Sequence, residues 1–196
     1  MKAMQYTAVA GKYNIEPQGV KIHRGSGLFV NPIMDAKIFK ILGHKYHGDC
    51  DVLIWHDANV FPKLKQEELI EKYLGESDIC FVKHPYRGCI YEEFAMLKID
   101  PRFKKVHKEL AVQEQFYRDS GYPEKNGLYE CNFFIRKVNP KTNILFEKWW
   151  AEVCRWTYRD QVCLPFVLST FEVNMRVIDL GNIRSNPDFV YVNHYK

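Results

Sequence analysis

None of the six cysteines, Cys50, Cys80, Cys89, Cys131, Cys154 and Cys163, forms a Cys-x-x-Cys pair. Zinc-ribbon and thioredoxin-type motifs are therefore not signalled, and several of these cysteines sit in apolar patterns as small buried hydrophobes. The chain has no full Gly-x-Gly-x-x-Gly pattern and no phosphate-loop motif, which argues against a dinucleotide fold or a P-loop enzyme. It has no Asn-x-Ser/Thr sequon, no secretory leader and no apolar run long enough to span a bilayer. A reducing, cytoplasmic setting is the expectation. No internal repeat, low-complexity segment, linker or basic run stands out. The net charge of +4 suits anionic nucleotides but falls short of a nucleic-acid footprint.

What is present is an ordinary globular composition. The 196 residues are 46% hydrophobic and 27% charged, enough for one domain with its own core over residues 1–196. The chain reaches Lys196 without a clear stop, which leaves room for further domains. Aromatics make up 15%, a share that suits a core of large residues better than sugar-stacking platforms.

One stretch organises the rest: Asp51-Val52-Leu53-Ile54-Trp55-His56-Asp57-Ala58-Asn59-Val60. Its uninterrupted bulky run reads as a strand covered on both faces. It breaks into His56, Asp57 and Asn59, and ligands of open α/β sheets bind beyond the carboxyl ends of strands. If the backbone stays extended, Asp57 and Asn59 point to one side. A carboxylate and an amide oxygen can share a hard divalent ion with phosphate oxygens and water. The plainer alternative is a strand end with ordinary turn residues.

In chain order, Met4–Ala10 reads as a first strand broken by Gly11-Lys12-Tyr13-Asn14, and Val20–Ile22 as a short second one. Asn31 caps a helix with Pro32 at its first position and Gly43 at its end. Lys37 and Lys40 lie three apart on it and are either a solvated face or phosphate contacts. Phe61-Pro62 turns the chain. A short helix over Lys65–Leu74 stops at Gly75, and a strand over 78–83 ends in His84-Pro85-Tyr86-Arg87. Asp100-Pro101 caps a helix running towards Ser120. Within the strand at 128–136, alternation puts Glu130 and Asn132 on one face and Cys131, Phe133 and Ile135 on the other. A helix over Asn143–Tyr158 carries Trp149 and Trp150, read as core. Arg159-Asp160-Gln161 precedes an apolar segment, Val177–Leu180 is a last short strand, and the alternating tail Phe189–Val192 leads to His194. This order predicts an α/β domain with a mostly parallel sheet flanked by helices.

These residues resemble glycosyltransferases of the GT-A fold. Tyr6-Thr7-Ala8-Val9-Ala10-Gly11-Lys12-Tyr13 looks like the nucleotide-binding entry of such enzymes. Asp57-Ala58-Asn59 looks like their Asp-x-Asp metal motif, with an amide for the second acid. Arg159-Asp160-Gln161 looks like their Asp-Gln element near the donor sugar, and His194 stands where several families place a late metal-binding histidine. Trp55-His56-Asp57-Ala58 is similar to the Trp-x-Asp-Gly/Ala signature of bacterial and plant glycosyltransferase-like proteins. The small size resembles the glycosyltransferase domain with which large chloroviruses decorate their capsid protein.

The resemblance implies transfer of a sugar from a nucleotide-diphosphate donor, by family habit a uridine one, to a glycan or glycoprotein acceptor. It implies manganese or magnesium at Asp57, Asn59 and His194, and donor contacts from Thr7, Ala8, Lys37, Lys40, Ala58, Arg87, Asn132 and Gln161. It places Asp160 at the reacting carbon or the acceptor hydroxyl, as general base if the reaction inverts, with Glu130 as its rival, and Tyr91 beside the sugar pocket. Two other classes stay open: a different metal-dependent nucleotide enzyme, and a non-catalytic carbohydrate-binding module.

Overall fold

The computed structural model describes residues 1–9 and 19–193. Ala10 to Gln18 and His194 to Lys196 lie outside the described residues, and with them the loop Gly11-Lys12-Tyr13-Asn14 and the expected ligand His194.

The central sheet holds six strands: β1 (Ala3–Ala8), β2 (Lys21–His23), β3 (Val52–His56), β5 (Ile79–Lys83), β6 (Tyr129–Lys137) and β7 (Met175–Ile178). Their spatial order is β2-β1-β3-β6-β5-β7. β6 alone runs antiparallel to its two neighbours, β3 and β5, while the remaining pairs are parallel. All five residues of β3 are buried, as the unbroken Val-Leu-Ile-Trp-His run requires of a strand covered on both faces.

Two apolar layers sandwich the sheet. On one face Leu53, Trp55, Phe81 and Phe134 meet the helices α1 (Pro32–Ile41), α4 (Ile90–Ile99), α5 (His107–Asp119), α6 (Pro140–Arg155) and α7 (Asp160–Leu168). Trp149 is fully buried here and its indole N–H donates to the Asp160 carbonyl at 2.9 Å. On the other face Val52, Ile54, Val82, Phe133 and Ile135 meet Leu69, Ile70, Tyr73 and Leu74. Those four lie on α3 (Gln66–Leu69) and the π-helical turn Ile70–Leu74 that continues it.

Several local expectations need correction. The backbone does not stay extended after His56. Val60 N–H donates to the Asp57 carbonyl at 2.9 Å, so Asp57-Ala58-Asn59 is a turn. The chain then re-enters as β4 (Val60–Pro62), which pairs antiparallel with β8 (Phe189–Tyr191) in a separate two-stranded sheet. Alternation fails in β6. The register against β5 jumps from Phe81–Phe134 to Val82–Glu130, and this bulge puts Cys131 in the helix-side layer but Phe133 in the other. Glu130 and Asn132 still meet, with Asn132 Nδ2 donating to Glu130 Oε2 at 3.1 Å.

Tyr91 lies in the first turn of helix α4, and Asp100-Pro101 caps a 3₁₀ turn (Pro101–Val106) before α5 begins. Gly43 does not simply end α1. It opens the short helix α2 (Gly43–Tyr46), and its missing side chain makes room for the Tyr6 ring. A methyl group at Gly43 would fall inside the Tyr6 phenol, whose hydroxyl donates to the Lys40 carbonyl at 2.9 Å. Gly43→Ala should therefore cost about 1–3 kcal/mol in urea unfolding through overpacking. Trimming Tyr6 as well should recover part of that loss, and strict additivity of the two changes would show that the contact is not the cause.

Candidate functional site

The site forms where the carboxyl ends of β1 and β3 meet the helix-side layer. Asn31 caps α1 by accepting from Ile33 N–H at 2.9 Å, and Pro32 starts the helix. The three-residue spacing then brings both Lys37 and Lys40 to Asp160 at the first turn of α7. Lys37 Nζ lies 2.8 Å from Asp160 Oδ1 and Lys40 Nζ 2.8 Å from Oδ2. Lys40 also reaches Asp57 Oδ1 at 3.5 Å, and the Trp55 indole N–H donates to that same oxygen at 3.1 Å.

Burial works against each of these charges, and the neighbours decide the outcome. It pushes the Asp160 carboxyl up, but the two ammonium groups outweigh it and hold the group well below the usual carboxylate range. Burial pulls Lys40 down, yet Asp160 and Asp57 leave it above its ordinary value. Lys37 ends below its ordinary value, because burial and neighbouring Lys40 prevail over Asp160.

Two cavities, each of about 320 Å³, share Lys37, Lys40 and Asp57 as a common wall. The first is mostly apolar, walled by Ala8, Ile33, Ala36 and Trp55, with Asp57, Ala58 and Asn59 at its edge. The second is polar. Glu130, Asn132, Asp160 and Gln161 line it, together with His84, Arg87, Arg102, Arg159 and Arg184.

Within the second cavity, Asn132 is nine-tenths buried and its carboxamide oxygen has no hydrogen-bond partner among the described residues. A hydroxyl donor is what such an oxygen lacks. Burial raises the Glu130 carboxyl above its ordinary value, against the opposing pull of the Asn132 amide, Arg184 and Arg159. Behind the wall, Glu93 binds both Arg87 (2.6 Å) and Arg159 (2.7 Å). His84 Nδ1 accepts from the Tyr86 and Arg87 amides, and burial beside Arg87 pushes its pKa down to about 4.

Of the residues singled out from sequence, Ala8, Lys37, Lys40, Asp57, Ala58, Asn59, Arg87, Glu130, Asn132, Asp160 and Gln161 line the two cavities. Thr7 lines neither. Tyr6 and Ala8 belong to the helix-side layer, so alternation turns Thr7 to the opposite face. Tyr91 is also away from the site, with its hydroxyl donating to the Tyr122 carbonyl at 2.7 Å beneath α4. Sequence reading did not single out Arg102 and Arg184, which come from short 3₁₀ turns remote in the chain, nor His84 as a lining residue. Their only signal was an Asp or Asn two residues before each arginine, a capping pattern.

Among the described residues, no group of three or more His, Cys, Asp and Glu side chains converges on a metal position. Asp57 and Asn59 nevertheless edge the same cavity. One carboxylate and one amide form a sparse set that fits a hard cation arriving with phosphate oxygens rather than one fully caged by protein.

A largely parallel sheet with one reversed strand, and paired cavities at its carboxyl edge, defines a GT-A-type α/β architecture. The chain belongs to the TOD1/MUCI70 glycosyltransferase-like domain family, whose model matches residues 20–185. Among solved structures, the WbbM bifunctional glycosyltransferase in its apo form is similar at 12% identity and a TM-score of 0.50, over 89% of this chain and 35% of that one. A197 from STIV is similar over 91% of this chain and 82% of that one, at 13% identity and a TM-score of 0.44. Mouse xyloside xylosyltransferase 1 is similar over 82% and 62%, at 12% identity and a TM-score of 0.43. No curated protein matches the chain significantly.

The wall yields a stability prediction. Asp160→Asn leaves two buried ammonium groups without their shared counter-charge, and loss of one partner of a buried pair costs about 3–5 kcal/mol. Urea unfolding should show that loss. A change below about 1 kcal/mol, the range of exposed pairs, would mean the lysines do not depend on Asp160.

Proposed function

We propose that this domain transfers a sugar from a nucleotide-diphosphate donor to a hydroxyl of a glycan or glycoprotein acceptor. The observation that carries the reading is the Lys37–Asp160–Lys40 wall between an apolar-sided cavity and a polar one. A nucleotide sugar has that same division, with an apolar-faced base at one end, a hydroxyl-rich sugar at the other and a dianionic diphosphate between. The base and ribose take the cavity of Ala8, Ile33, Ala36 and Trp55, and uridine is the base the resemblance favours. Lys37 and Lys40 each pair with Asp160 and have N–H groups to offer the diphosphate.

Asp57 and Asn59 would hold Mn²⁺ or Mg²⁺ brought in with the donor. Such an ion supplies Lewis-acid charge to the departing diphosphate.

In the second cavity, the unpaired Asn132 oxygen accepts from a sugar hydroxyl, and Gln161 and Arg87 offer further polar contacts. We assign the general base to Glu130 rather than Asp160. Asp160 is 2% exposed, holds two lysines and is strongly depressed, so it is a poor proton acceptor. Glu130 lines the open cavity and its affinity for a proton is raised, which suits removal of the acceptor's proton as the new bond forms. Asp160 is then a positioning residue for the lysines.

Two measurements test this. Nucleoside diphosphate with manganese should raise the melting temperature of the parent and not of Asp57→Ala, and a parent unmoved by every diphosphate would sink the transferase reading. Glu130→Gln should keep nucleotide-sugar binding and lose about a hundred-fold or more of the transfer rate. The parent rate should also climb with pH through the raised Glu130 carboxyl, and the variant should lack that limb. An unchanged limb would remove Glu130 as base.

A further inference from the structure

We propose that the end of the polar cavity nearest β5 and β7 is an anion subsite, where His84, Arg87 and Arg184 hold a carboxylate or phosphate carried by the acceptor sugar. The proposal rests on the reading that this cavity takes sugars and that Glu130 is the base.

The first observation is a pair of donors set side by side. Backbone amides only donate, so the Tyr86 and Arg87 N–H groups, with their nitrogens 3.2 Å and 3.0 Å from His84 Nδ1, require that nitrogen to be bare. The neutral imidazole then carries its proton on Nε2. That nitrogen lies 3.0 Å from Arg87 Nη2, and a guanidinium has no lone pair to offer it. Two N–H donors therefore stand abreast in the cavity lining. The opposite tautomer would set Nδ1–H against two amide donors, which no ligand could relieve. An anionic oxygen in the cavity relieves the pair as it stands, because it accepts from both. His84 is 6% exposed, so bulk water does little in its place.

The charge around the pair has the matching sign. Arg87 and Arg159 share a single carboxylate, Glu93. Arg184 lines the same cavity and lies over the Tyr191 ring at 5.5 Å, with no carboxylate within ion-pair distance among the described residues. Three guanidinium groups are thus set against two carboxylates, Glu93 and Glu130, and one positive charge is left over even with Glu130 ionised. Arg102 also lines the cavity but pairs with Asp100 and stands outside this count.

The sheet assigns the anion to the acceptor. β3 and β5 both run antiparallel to β6, and β7 runs parallel to β5, so the carboxyl ends of all three share the edge where β6 begins with Tyr129-Glu130. The order β3-β6-β5-β7 puts two strand spacings, about 10 Å, between the end of β3, beside the lysine wall, and His84 after β5. Glu130, on β6, falls between them. Arg184 arrives from beyond β7 on the 3₁₀ turn Ile183–Ser185. Asn182 ties that turn to the His84 loop, accepting from the Arg184 N–H at 3.1 Å and donating to the Tyr86 hydroxyl at 3.1 Å. An acceptor whose hydroxyl meets Glu130 reaches this group on its far side. The donor's phosphates, held at Lys37 and Lys40, do not.

The test is a titration of the full chain with glucuronic acid, glucose 6-phosphate and glucose, followed by saturation-transfer NMR. It needs neither nucleotide nor turnover, and the melting shift with diphosphate and manganese, measured on the same proteins, reports separately on the transferase reading. At least one acidic sugar should bind about tenfold more tightly than glucose, and which one does so tells carboxylate from phosphate. Arg184→Gln should weaken that binding about tenfold and leave glucose unchanged. Arg184→Lys should recover part of the loss, because the charge returns without the planar fork. Arg184 is exposed, so the melting temperature without ligand should match the parent. A parent that binds neither acidic sugar, or binds all three alike, would overturn the proposal, as would an acidic preference that survives Arg184→Gln. If Arg184→Gln instead abolished the shift with diphosphate and manganese, Arg184 would hold the donor's phosphates and the acceptor assignment would be wrong.

Discussion

The structure depends on one electrostatic arrangement: a buried carboxylate, Asp160, shared by two buried ammonium groups, Lys37 and Lys40. Isolated charges at such depth are costly, and each is tolerated only because its counter-charge is within hydrogen-bond reach. The contact also ties α1 to α7, two helices distant in the chain. The carboxylate sits in the first turn of α7, where the helix dipole favours negative charge. The lysines sit one turn apart on α1, so a single helix face delivers both. Much of the site's geometry follows from these two helices.

The wall sets two ammonium groups against one carboxylate, so it keeps one positive charge in excess between two unlike cavities. Asp57 brings a second carboxylate to Lys40, and Trp55 fixes that carboxylate through its indole N–H. The last bulky residue of the β3 run thus orients the first polar group after it. Strand, helix and site are coupled at this point, and the apolar pattern that builds the core also aims the chemistry.

The fold was legible in sequence where hydrophobic runs were long and caps were plain. The buried strand at 52–56, the Asn31-Pro32 start and the alternation of the main strands and helices follow from residue pattern. The site was legible where one element carries it, as with Lys37 and Lys40 on α1 or Glu130 and Asn132 on β6. It was not legible where backbone geometry departs from the regular period. Alternation misplaces Cys131 and Phe133 across the β6 bulge, and the extended reading of Asp57–Asn59 fails at a turn. Nor could periodicity foresee Arg102 and Arg184, which arrive from separate short turns and meet only through tertiary packing.

Three buried carboxylates around the site show how environment assigns role. Asp160 faces two lysines and Glu93 faces two arginines, and in both the cations overcome burial and lower the carboxyl's hold on its proton. Glu130 is buried to a similar degree, but its bonded partner is the neutral amide of Asn132, and burial wins. Titratable groups whose environments push them apart are those to which acid–base roles can be assigned. The first two carboxylates are spent holding cations in place around the cavity. The third, left without a dedicated counter-charge and open to the same cavity, is the one whose chemistry is free for a substrate.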